Sequence, residues 1–479
     1  MSSSSGIIAE AASVPIASTA TGGAAPVDVI DVADVGGGRG LREIFSTEAR
    51  LQNYLAVEAA LALAEEEVGI IPAGVGRRIA AAARLEAVDR DRIAADQQLT
   101  GHLMMPIVTE LARVVGDPDG GWVHWGATTQ NIQQTGDVLA IREAHRVITA
   151  GLAELLGSLA RLGEDTADVV MAGRTHWQQA VPITFGSKVA AWSDTLIRHL
   201  DRLEELKPRL LRSMTGGAAG TFATFGEHGP AVQAAVARRL GLTPMTLPNR
   251  AIVDHFTELV CVLGMIAATG AGLAEEIARL MSVEFGEVSE PIPAGDVGST
   301  TMPQKRNSKL CSAAVATAAQ IRALVPLALD GMIQSHEVDG SRSVMIDHAL
   351  TESCTLTGDL LALLNRIVAG LDVFPDRMRT NLDLTGGLIS AEAVMMELGA
   401  LIGRQQAHHA VHAAARRVAL SSGQVSFADA LNDTAEVAAH LDPDQVTTLL
   451  DPTRHTGLSA QLARTTSRRA AAAAQRTPT

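Results

Sequence analysis

The stretch "AGDVGSTTMPQKRNSKL", residues 294–310, holds two glycines, a proline and three cations in a chain whose pattern is otherwise helical. On either side of it, residues 257–283 and 308–333 are apolar over most of their circumference, which predicts helices inside a bundle rather than on its surface. Further helical candidates are residues 152–171, 193–211, 231–240 and 348–371. "STEARLQNYLAVEAALALAEEEVG" (46–69) adds another, with Ser46 as N-cap and Gly69 and Pro72 marking its end. Strand signals are scarce, so the pattern predicts an all-α protein built on a long-helix central bundle.

Two other stretches break the helical pattern with polar, glycine-containing text: "WVHWGATTQNIQQTGD" (122–137) and "AGRTHWQQAVPITFGSK" (172–188). All three are longer than the roughly 2–8 residues that join helices in bundles. They therefore read as functional loops carried on a rigid scaffold.

The 479 residues are 47% hydrophobic and 19% charged, an ordinary globular mixture with length enough for several domains. A formal charge of −14 and 3% aromatic residues argue against nucleic acid. They do not argue against an anionic substrate, because a few cations focused in one cleft suffice. Three widely spaced cysteines (Cys261, Cys311, Cys354), no basic leader and an uncharged apolar run of only 16 residues, 259–274, point to a reducing cytoplasm and away from a membrane. The expected organisation is a flexible arm (1–40), an N-terminal helical domain (41–120), a central bundle (121–370), a C-terminal helical domain (371–465) and a fraying basic tail (466–479).

The residues in the three stretches suit anion chemistry. After Gly298 come Ser299, Thr300, Thr301, Met302, Lys305 and Asn307, then the start of a helix near Ser308. Helix N-termini attract carboxylates, Lys305 and Asn307 add a charge and donors, and a serine alkoxide becomes accessible among such dipoles. Arg174, Thr175, His176 and Gln178 offer a cation, a hydroxyl, a titratable imidazole and an amide within five residues. His124, Thr128, Thr129, Gln130 and Asn131 could clamp a second carboxylate. His408 and His412 stand four apart but lack an acidic or cysteine partner, so no metal is expected.

Taken together, "GSTTMPQKRN", "GRTHWQQAVPITFG" and "HWGATTQNIQQT" resemble, in order and spacing, the three site segments of the fumarase/aspartase superfamily. "NLDLTGGLISAEAVMMELGALIGRQQAHH" is similar to the branch holding adenylosuccinate lyase and 3-carboxy-cis,cis-muconate cycloisomerase. The resemblance implies a three-domain fold and a homotetramer, with each site assembled from loops of three subunits and no cofactor. It also implies anti β-elimination through an aci-carboxylate. Ser299 falls on the base position, Lys305 and Asn307 on the carboxylate-holding positions, and His176 on the general-acid or leaving-group position. Thr128, Thr129 and Gln178 fall on substrate-binding positions. Thr100 and His102 lie in a family substrate-contact region, Thr300 and Met302 within the signature, and Ser341 and Arg342 in a segment that is arginine-rich elsewhere.

Departures from the family pattern narrow the substrate. Ser312 stands where a glutamate is usual, which weakens a plain fumarase or aspartase reading. Val35, Gly36 and Val338 stand where adenylosuccinate lyases resemble one another in phosphate-binding residues, so a nucleotide would be poorly held. His176 replaces the bulky apolar residue of bacterial cycloisomerases, which favours elimination. The expected substrate is a small, unphosphorylated 2-substituted succinate cleaved at a C–N bond, with nitrosuccinate the nominee. A carboxymuconate cycloisomerase and an adenylosuccinate-type lyase are the alternatives.

Overall fold

The computed structural model describes residues 38–292, 301–421 and 424–476. Ser299 and Thr300, and with them Val35 and Gly36, lie outside the described residues. The first helices are α1 (Gly38–Ile44), α2 (Thr47–Val68), α3 (Val75–Ala82), α4 (Arg90–Thr100) and α5 (Met105–Val115). The Ser46 side chain accepts the N–H of Ala49, so the expected N-cap forms.

Five helices make the bundle: α6 (Thr129–Asp165), α7 (Phe185–Leu210), α9 (Asp254–Leu280), α10 (Lys309–Gly331) and α11 (Gly340–Ala369). α8 (Gly229–Leu240) packs on α2 at its side. α10 lies against both α9 and α11, while α6 contacts α2, α7 and α11. By length and composition α9 and α10 could each cross a membrane. In this fold, however, 67% of the most apolar window of α9 is buried by the chain itself. One apolar core runs from Leu41 through these helices to Met378.

The C-terminal helices α12 (Pro375–Leu382), α13 (Ala391–Ile402), α14 (Arg404–Leu420), α15 (Phe427–Asn432), α16 (Ala435–Ala438) and α17 (Pro443–Leu449) follow. Most of them close around a separate core with Phe427 and Leu398 at its centre.

Two expectations are corrected. Residues 172–188 do not form a loop: β1 (Val170–Thr175) and β2 (Gln178–Thr184) pair antiparallel as a hairpin, with α7 starting at Phe185. Its strand pattern is obscured because Gly173 and Arg174 sit at an irregularity in the register. The tail does not fray before Ala474 either, since α18 (Ser459–Ala474) packs on α6 and α7. Ala470 and Ala473 are fully buried there, small enough to bring the helices close. Its arginines find acids on the bundle side: Arg464 with Asp168, Arg469 with Asp194 and Arg476 with Asp201.

Candidate active site

His176 and Trp177 form the two-residue turn of the hairpin, with φ of 49° and 67°. Such a turn needs positive φ at both positions, normally met by Asn-Gly. Two bulky L-residues there are strained, and strain held in place by its surroundings marks functional positions. Trp177 is 81% exposed and packs on the Arg279 guanidinium 5.1 Å away. Thr175, His176 and Gln178 are exposed beside it, and the His176 ring has no hydrogen-bond partner among the described residues.

The base of the hairpin is rigid. Arg174 donates to both carboxylate oxygens of Glu287, at 3.0 and 2.6 Å, and its guanidinium lies over the Phe285 ring. Glu287 is wholly buried and also accepts from the Asn381 side chain at 2.7 Å. Arg174 is thus committed to joining the hairpin to the segment that leads into the signature stretch. That segment ends at the buried Glu290, whose oxygens accept the N–H groups of Leu310 (3.0 Å) and Cys311 (2.9 Å) at the start of α10. Ser312, on the next position of the helix, is exposed. Glu290 therefore supplies a carboxylate to this helix N-terminus. Lys305 and Met302 lie exposed ahead of it, and the Asn307 carbonyl accepts the Lys309 N–H.

Thr128 precedes α6 and Thr129 is its first residue, so both sit at the positive end of a 37-residue helix. Asn131 is spent on structure: it is 1% exposed, and its Oδ1 accepts from the N–H groups of Thr128 (3.2 Å) and Gly217 (3.1 Å). Gln130 is braced as well. Its Oε1 accepts from Nε of Arg250 at 3.0 Å and from a second Arg250 nitrogen, while its Nε2 faces Ser343 Oγ at 3.5 Å.

Gln130 forms one wall of a cavity of about 360 Å³, within the range of small-molecule sites. Gln134, Asp137 and Arg250 line it too, with Arg50 and Tyr54 opposite. Arg50 pairs with Asp347 at 2.9 Å. Burial first, and the neighbouring Asp347 charge second, push Asp137 up to about 7 against the pull of Arg50 and a Tyr54 hydrogen bond. Burial alone lowers Arg250 below the usual arginine range, and among the described residues it has no carboxylate partner.

His124 adds a buried pair: its Nδ1 stands 2.6 Å from Glu58 Oε1. Burial disfavours the imidazolium most strongly of any single cause, but the Glu58 hydrogen bond and charge together outweigh it and the His124 pKa is raised. Two turns further along α2, Glu65 is fully buried with no partner for either oxygen among the described residues, and burial, then the Glu58 charge, push it up to about 9. It is a neutral acid at pH 7.

Two family comparisons cover most of the chain: the family described as Lyase matches residues 39–323, and adenylosuccinate lyase C-terminus matches residues 387–465. The chain belongs to the fumarase/aspartase superfamily of lyases. It is 37% identical to the N-acetyl-S-(2-succino)cysteine lyase of Enterococcus italicus over 88% of this chain and 92% of that one. It is 39% identical to the 3-carboxy-cis,cis-muconate cycloisomerase of Pseudomonas aeruginosa over 87% and 91%. The crystal structure of a fumarate lyase from Mesorhizobium sp. BNC1 superposes with a TM-score of 0.83 at 34% identity, covering 90% of this chain and 97% of that one.

Within this superfamily fold the single chain gathers some site segments and not others. Leu103, Gln130 and the 340–347 segment meet around the cavity, whereas the hairpin tip and residues 301–307 are not among its walls. His102 Nδ1 accepts the Met105 N–H and so caps α5, and Thr100 bonds back to the Asp96 carbonyl. The Ser341 hydroxyl is held by Asp339 at 2.7 Å, and Arg342 leans on Met345. Arg250, Gln134, Asp137 and Glu58 were not singled out from the sequence, and His124 was named there without its pairing to Glu58. Gln134 and Asp137 stand in the part of the polar 122–137 stretch that continues as α6, while Glu58 and Arg250 are lone polar residues in ordinary helical or loop text.

Proposed function

We propose that this lyase removes nitrite from 2-nitrosuccinate by anti β-elimination to give fumarate, in a homotetramer whose sites combine loops from several subunits. Ser299 takes the C3 proton, leaving its electron pair as an aci-carboxylate held by Lys305 and Asn307. That pair then forms the C2–C3 double bond, and the C2–N bond breaks with its electrons on the nitrite. The observation carrying the substrate class is the charge of the cavity beside Gln130. Arg50 and Asp347 offset each other there, and among the described residues Arg250 is the one cation lining the cavity without a carboxylate partner. One such cation suits a single negative charge, that of a departing monoanion rather than of the substrate's two carboxylates, and is too little for a phosphate dianion.

The unfixed His176 ring is consistent with a leaving group that needs no proton. Cleavage of a C–S bond is the second reading, favoured by the name of the Enterococcus relative, because a thiolate also departs as an anion. The test is fumarate formation from nitrosuccinate and from S-(2-succino) thioethers, beside loss of carboxymuconate absorbance. With nitrite as leaving group, His176→Ala should slow single turnover only modestly, by about tenfold or less, since general acid catalysis supplies about 10²–10⁴ where it is used. A loss in the upper part of that range, confined to the chemical step, would exclude nitrite.

A further inference from the structure

Gln134 lies one helical turn after Gln130 on α6, so both side chains face the same cavity. It is 6% exposed, yet among the described residues neither its Nε2 nor its Oε1 has a hydrogen-bond partner. Buried amides are almost always paired, and one left open toward a cavity is a place for a ligand. Arg250 lines the same cavity. Three of its five N–H bonds go to Gln130 Oε1 and the Ala218 carbonyl, and the other two have no partner among the described residues.

We propose that Arg250 and Gln134 receive the departing group as a small monovalent oxyanion, nitrite in the reading above, on which this inference rests. As the C–N bond breaks, its electron pair and a full negative charge arrive on the nitrite. The free Arg250 N–H bonds and the Gln134 Nε2–H donate to its oxygens, so the charge is met without a proton. The rest of the cavity does not oppose this: Asp347 is offset by Arg50, and Asp137 keeps its proton up to about 7. Gln130, whose acceptor Arg250 already occupies, keeps one Nε2–H beside its bond to Ser343 for the substrate end.

Nitrite and nitrate binding to the full-length native assembly, measured by calorimetry at pH 6.5, tests this without turnover. Arg250→Gln should weaken both ions about tenfold or more, as loss of a charge-assisted pair does, with Arg250→Lys between it and the parent. Inhibition by fumarate should be nearly unchanged. Arg250 also braces Gln130, so Gln134→Leu is the cleaner variant: it should weaken nitrite severalfold while leaving the melting temperature equal or higher, because an unpartnered amide is removed. No nitrite binding by the parent, or equal binding by both variants, would overturn the inference. If binding behaves as expected but nitrosuccinate is not turned over, the anion site stands and the assigned substrate falls.

Discussion

Asp137, which closes the polar 122–137 stretch, shows how a residue not singled out in the sequence can set a property of the site. It lies half-buried, with Arg50 and Tyr54 of α2 and Asp347 of α11 as its charged and titratable neighbours, and Arg250 lines the same cavity. Its folded value of about 7 is above that of an unfolded aspartate, about 3.9. The stability it contributes is therefore present at acid pH and is lost as pH rises towards and through about 7. Asp137→Asn should melt above the parent by a margin that is larger at pH 8 than at pH 5.5. Parallel melting curves across that range would show that the carboxyl is not perturbed. The same ionisation should weaken anion binding in the cavity as pH rises through neutrality.

Arg174 governs an element more than a site. Its bidentate bridge to the buried Glu287 is what holds the β1–β2 hairpin, and so the strained His176–Trp177 turn, against the segment running to Glu290. Removing one partner leaves a buried charge alone, which costs about 3–5 kcal/mol. Arg174→Met should lower the urea midpoint accordingly, with activity lost because the turn is no longer held. An unchanged midpoint with a raised KM would instead make Arg174 a substrate ligand, as its place in the "GRTH" text suggests. The two adjacent aromatic and imidazole side chains at positive φ were legible as residues but not as a turn. Turn chemistry is normally read from Asn and Gly, and this turn uses neither.

At the scale of the molecule, α10 is the unusual helix. It is apolar enough for a bundle interior, yet only 33% of its most apolar window is buried, and Ala316, Ala319, Ala323 and Leu329 face outward. The proposed homotetramer gives that face a partner. Ala319→Glu should yield a smaller species in light scattering and reduce activity by about hundredfold or more, since the hairpin tip and the signature stretch would no longer be placed on another subunit's cavity. A dissociated variant with full activity would show that one chain completes the site.

Sequence alone determined the bundle and the chemistry's vocabulary. Apolar periodicity is a local property, so the ranges 257–283 and 308–333 anticipated α9 and α10 to within three residues. The three polar segments carried the family resemblance because their residues are contiguous. Only the tertiary structure decided which groups are spent and which are available. Arg174 and Glu287 are 113 residues apart, and Arg250 and Gln130 are 120 apart. Whether a cation ends against a carboxylate or in an open cavity depends on how distant helices pack, and no local pattern encodes that.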